Sequence, residues 1–123
     1  MLKKKILIVD DEKDILTVLE KRLSVAGYDV VKADSGKNAI KIAREEHPDL
    51  IVLDIVMPEI DGAMVAETLK QDVNTKGIPI IFLTCLLTKK EESILGHEIH
   101  GHFFIAKPFD QEELLSEIKK TIV

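Results

Sequence analysis

A chain of 123 residues, 46% of them hydrophobic, has the length of one ordinary domain and enough apolar side chains to bury a core without cross-links. Its 17 Lys and Arg against 22 Asp and Glu leave a formal net charge of -5, which disfavours non-specific attraction to nucleic acid or anionic lipid and points to protein partners. The single cysteine, Cys85, excludes an internal disulfide and completes no zinc-type spacing, so a reducing, cytoplasmic setting is expected.

Lys3, Lys4 and Lys5 lead into Ile6–Val9, an apolar run too short for a signal-peptide core and closed by Asp10, Asp11 and Glu12. No other run reaches membrane-spanning length. Lys5 to Val9 reads as the first strand. Lys13 to Ala26 reads as a helix with Ile15, Leu19 and Leu23 on one side, Val18 widening the stripe and Gly27 as its stop. Asp29 to Ala33 has the mixed character of an edge strand, and Ser35 to Glu46 is helical. Leu50 to Asp54 is an almost unbroken apolar strand, followed by a helix over Ala63 to Gln71, a strand over Ile78 to Leu83 and a helix over Lys89 to His97. Phe103 to Ala106 is the fifth strand. The final helix, Gln111 to Ile122, starts on Asp110 and Glu113, a D-x-x-E pattern like a capping box, and carries Leu114, Leu115, Ile118 and Ile122 as its stripe. With no internal repeat, linker or low-complexity tract, the expectation is one α/β domain over residues 1–123. Its alternating strands and helices imply a doubly wound five-stranded parallel sheet with ligands outside the carboxyl ends of the strands.

At those ends stand Asp10 and Asp11 after the first strand, Asp54 at the third, Thr84 after the fourth and Lys107 after the fifth. Gathered carboxylates repel, so a fold that collects them must protonate one, pair one or bind a cation. Mg2+ suits such oxygen donors, keeps several waters and shares its shell with phosphate. Asp10, Asp11 and Asp54 would then be offset by Mg2+ and Lys107. In that setting the Asp54 carboxylate is a competent nucleophile on phosphorus, with Lys107 and the Thr84 hydroxyl stabilising the phosphoryl oxygens. Each residue alone has a blander reading: Asp11 as an N-cap, Asp54 as a turn residue, Thr84 as a loop hydroxyl and Lys107 as a solvated strand end. Their common position at the strand ends favours the site.

Ile8-Val9-Asp10-Asp11-Glu12, Asp54-Ile55-Val56-Met57-Pro58-Glu59-Ile60-Asp61-Gly62, Leu83-Thr84 and Lys107-Pro108-Phe109 together resemble the signatures of response-regulator receiver domains, and the likeness runs the length of the chain. The resemblance implies the flavodoxin-like (CheY-like) strand order 2-1-3-4-5. It also implies an acidic metal pair at Asp10 and Asp11, a phosphoacceptor at Asp54, a metal-binding carbonyl at Val56, a switch pair at Thr84 and Phe104, and a phosphate-contacting Lys107 on a cis bond to Pro108. The expected function is a phosphoacceptor switch in a two-component or phosphorelay system. A histidine kinase or histidine phosphotransfer protein would phosphorylate it in the presence of Mg2+, and it would signal to a downstream protein or output domain that these residues do not identify. Such a domain catalyses only its own phosphorylation and dephosphorylation, so it is not expected to be an enzyme in the ordinary sense.

Two other classes compete. A haloacid-dehalogenase-type phosphohydrolase would usually carry a second Asp two positions after the nucleophile, where this chain has Val56. A degenerate, non-phosphorylated receiver is opposed by the intact acidic pair and Lys107. His97, His100 and His102 read as a solvated helix end and loop rather than a metal site. Cys85, where a small residue such as Ala is usual, and the His100-Gly101-His102 approach to the fifth strand depart from the family pattern and leave the partner open.

Overall fold

Residues 3–54, 62–84, 98–99, 102–106 and 111–122 are described by a computed structural model. Strand β1 (Lys5–Val9) is followed by helix α1 (Lys13–Val25), β2 (Asp29–Ala33), α2 (Gly36–Glu46), β3 (Leu50–Asp54), α3 (Gly62–Gln71), β4 (Ile80–Thr84), β5 (Glu98–Ile99), β6 (His102–Ala106) and α4 (Gln111–Thr121). The sheet runs β2-β1-β3-β4-β6-β5. Its first five strands are parallel, in the order expected from the resemblance.

The near-continuous apolar strands follow from burial on both faces, since successive side chains of a strand point to opposite sides. Ile6, Ile8, Leu50, Val52, Ile81 and Leu83 pack with Leu16, Leu19 and Leu23 of α1 and Leu114 and Ile118 of α4. The alternate residues Leu7, Val9, Ile51, Leu53, Ile80 and Phe82 pack with Ala39 and Ala43 of α2 and Val65, Ala66 and Leu69 of α3. Each fully buried leucine or isoleucine contributes about 1.5–3 kcal/mol relative to exposure. Strand β2 lies at the edge, as its mixed composition requires, with Asp29 and Lys32 exposed.

Local chemistry sets the helix ends. Gly27, at φ 100°, closes α1: Tyr28 N–H reaches back to Leu23 O and Gly27 N–H to Ser24 O, both at 3.1 Å, and the Tyr28 ring joins Leu23 in the core. This is the paired closure that a left-handed residue after the helix permits, and glycine adopts it without steric penalty. At α2 the Ser35 hydroxyl accepts from Asn38 N–H at 3.2 Å. Helix α4 has Glu112 and Glu113 in its first turn and Lys119 and Lys120 in its last, matching the helix dipole. Asp110, the other half of its D-x-x-E start, lies outside the described residues.

Several expectations shift. The α1 stripe turns by part of a step: Leu16 is buried with Leu19 and Leu23, Ile15 is half-buried, and Val18 is 50% exposed rather than part of the core. Strand β4 begins at Ile80, not Ile78, because Ile78 N–H is spent on Thr75 O in the preceding turn and Pro79 has no N–H to give. Beyond β6 lies an addition, the two-residue β5, antiparallel through Glu98↔Phe103 and Ile99↔His102. The helix expected over 89–97 lies outside the described residues.

Candidate functional site

The chain leaves β1 for the edge strand β2 and then returns past β1 to β3, so the direction of winding reverses between β1 and β3. In such sheets a crevice opens there, beyond the carboxyl ends of the strands. Val9 pairs with Leu53 in register, which sets Asp10 and Asp54 at the same step of adjacent strands. Asp10 continues the face of Ile6 and Ile8, and Asp54 that of Leu50 and Val52, so alternation directs both to the same side of the sheet. Both are buried, 1% and 3% exposed, in a core otherwise composed almost wholly of apolar side chains. Taking two carboxylates out of water at neighbouring positions is costly unless something offsets their charge.

The turn after β1 brings further carboxylates. Oxygen atoms of Asp10, Asp11 and Glu12 all lie within 4.8 Å of one another, and this group could hold a metal ion. Asp10 is buried in it, whereas Asp11 and Glu12 are exposed. Asp54 is not a member of that compact group; it sits on the adjacent strand end. Asp10 is fixed from two sides, its N–H donating to Ala33 O at 3.2 Å and its Oδ1 accepting from Glu12 N–H at 2.9 Å. The simple capping role considered for Asp11 does not hold, because Glu12 is the N-cap of α1 and makes no side-chain cap hydrogen bond.

Thr84 is the last residue of β4, one step beyond the Asp54↔Leu83 pair, and is itself in register with Ala106. Phe104 lies in β6 with its backbone opposite Phe82. Val56 and Lys107, together with Pro108, Leu86, Cys85, His97 and His100, lie outside the described residues. Sequence reasoning passed over Glu12 as a member of the acidic group. Three consecutive acids after an apolar strand are visible in the sequence, but only the path of the turn brings the third back beside the first.

An oxygen-only donor set at one sheet edge suits a hard divalent cation that retains several waters, so the residues present fit Mg2+.

Residues 6–119 match the response regulator receiver domain, and the chain belongs to that family. It is 42% identical over 122 residues to "Probable transcriptional regulator ycf27" of Porphyridium aerugineum, covering 99% of this chain and 49% of that protein. It is 40% identical over 119 residues to the alkaline phosphatase synthesis transcriptional regulatory protein PhoP of Bacillus subtilis (strain 168), covering 94% and 47%. Among solved structures it resembles the chemotaxis protein CheY4 of Vibrio cholerae, with a TM-score of 0.83, 28% identity and coverage of 98% and 99%. The chain thus spans about half the length of the curated relatives it matches. With the family shown, the fold is flavodoxin-like, CheY-like, and the phosphohydrolase alternative falls. Among the described residues no helix is long and apolar enough to cross a membrane.

Proposed function

We propose that this chain is a phosphoacceptor switch of a two-component or phosphorelay system, taking a phosphoryl group on Asp54 from a histidine kinase or histidine phosphotransfer protein. One observation carries this reading: Asp10 and Asp54 are buried carboxylates at the same step of the two strands that flank the reversal of the sheet.

Asp10, Asp11, Asp54 and the Val56 carbonyl would hold Mg2+. When bound, the cation supplies positive charge to offset the carboxylates and the incoming phosphoryl oxygens. An Asp54 oxygen attacks phosphorus in line; the O–P bond forms as the P–N bond of the donor phosphohistidine breaks, and the electron pair leaves on the imidazole, which takes up a proton from water. Burial of Asp54 on a strand end limits its motion, so positioning supplies much of the rate. Thr84 would donate its hydroxyl to a phosphoryl oxygen, a role supported by its place one step beyond the Asp54↔Leu83 pair. Lys107 directly follows Ala106, the register partner of Thr84, which supports its role as the phosphate-contacting cation. The Thr84 movement would be read by Phe104, with altered contacts passed to a downstream protein target or output domain.

The chain speeds only its own modification and its reversal. It acts in the cytoplasm, and with a net charge of -5 it contacts proteins rather than nucleic acid or membrane.

Incubation with Mg2+ and acetyl phosphate or phosphoramidate, followed by mass spectrometry and borohydride trapping, tests the site. The expected result is one added phosphoryl group at Asp54, absent from a folded Asp54→Asn variant. Full labelling of that variant at another residue would overturn the assignment.

A further inference from the structure

Glu12 occupies the N-cap of α1, where a side chain commonly accepts from the first-turn amides, yet it makes no such bond. Its backbone is tightly held. Its N–H donates to Asp10 Oδ1 at 2.9 Å, and its carbonyl accepts from Ile15 and Leu16 N–H at 3.1 and 3.2 Å. The exposed side chain keeps a carboxylate oxygen within 4.8 Å of those of both Asp10 and Asp11. The three carboxylates thus differ in kind: Asp10 faces the buried floor of the crevice, while Asp11 and Glu12 stand on its solvent side.

We propose that Glu12 is a positioning residue of the cation site, accepting hydrogen bonds from the waters on the solvent side of bound Mg2+ and so setting how tightly this chain takes a divalent cation. The inference rests on the reading of Asp10 and Asp11 as metal ligands. Mg2+ gives up its waters reluctantly, so a carboxylate beyond the directly bound oxygens acts through those waters and through its charge. The backbone bond to Asp10 holds the Glu12 main chain beside the acidic pair, and the lack of a capping bond leaves its carboxylate available for the role.

The test titrates Mg2+ into the wild-type chain, Glu12→Gln, Glu12→Asp and Asp11→Asn, following amide chemical shifts at low and high ionic strength, with thermal melting in EDTA and in Mg2+. Glu12→Gln is expected to bind Mg2+ about fivefold more weakly at low ionic strength, with the gap narrowing as salt screens the charge. In EDTA it should melt no lower than wild type, because removing one of three close carboxylates relieves repulsion, and Glu12→Asp should recover part of the affinity. A purely structural helix-end role would instead lower the melting temperature in EDTA and leave affinity unchanged. Equal Mg2+ affinity in wild type and folded Glu12→Gln, with binding weakened in Asp11→Asn, removes Glu12 and leaves the cation site standing. Failure of the wild-type chain to bind Mg2+ overturns the site and Glu12 together.

Discussion

Asp10 Oδ1 accepts the backbone N–H of Glu12 at 2.9 Å, so a carboxylate proposed to hold a cation also shapes the turn from β1 into α1. The two duties separate by substitution. Asp10→Asn retains an acceptor oxygen but not the charge, so it should keep the turn while losing most of the stabilisation expected from Mg2+. Asp10→Ala also loses the acceptor and should fall about 1 kcal/mol below Asp10→Asn. Urea denaturation of the three chains with and without Mg2+ reads both effects.

Arg44 Nε donates to Asp72 Oδ2 at 2.6 Å, joining α2 to the turn after α3, and Asp72 Oδ1 accepts from Asn74 N–H at 2.9 Å. The Asn74 amide foremost, and then Arg44, hold the Asp72 carboxyl below its usual range. A depressed folded value means that this contribution to stability is fully present above the unfolded aspartate value of about 3.9 and is lost as pH falls through the lower folded value. Asp72→Asn should therefore flatten the acid limb of the stability profile without changing its shape near neutrality, as measured by denaturation midpoints across pH.

Thr75 is buried and donates its hydroxyl to Leu69 O at 2.7 Å, closing the turn between α3 and β4. Thr75→Val keeps the shape but leaves Leu69 O only the longer bond from Asp72 N–H at 3.4 Å, so it should cost about 1 kcal/mol in chemical denaturation. Thr75→Ser keeps the hydroxyl and should cost less.

In receiver domains, the lifetime of the phosphorylated state varies with the residues two positions after the phosphoacceptor and two after the switch threonine; with Asp54 and Thr84 in those proposed roles, these are Val56 and Leu86. Two apolar side chains cannot orient a water for in-line attack on phosphorus. Self-dephosphorylation should be slow, and Val56→Asn with Leu86→Glu should accelerate it. Decay of the Asp54 phosphoryl group in Mg2+ at fixed temperature checks this; an unchanged rate in the folded double variant would show that these side chains do not gate the water.

Signals local in the chain specify much of this fold. Apolar runs identified the strands, Gly27 marked the end of α1, the mixed composition of Asp29–Ala33 identified an edge, and the acids and Thr84 fell at strand ends. Tertiary packing decided what periodicity leaves open. A helical stripe can turn by one residue at little local cost, and only the sheet surface beneath α1 selects Leu16 over Val18. Two residues carry no period, so β5 is set by pairing with β6. The partnership of Arg44 with Asp72 and the matched step of Asp10 and Asp54 join residues far apart in the chain, and no local propensity encodes such distances. The same holds for Glu12: its acidity is plain in the sequence, but its approach to Asp10 depends on how the turn closes when α1 docks on the sheet.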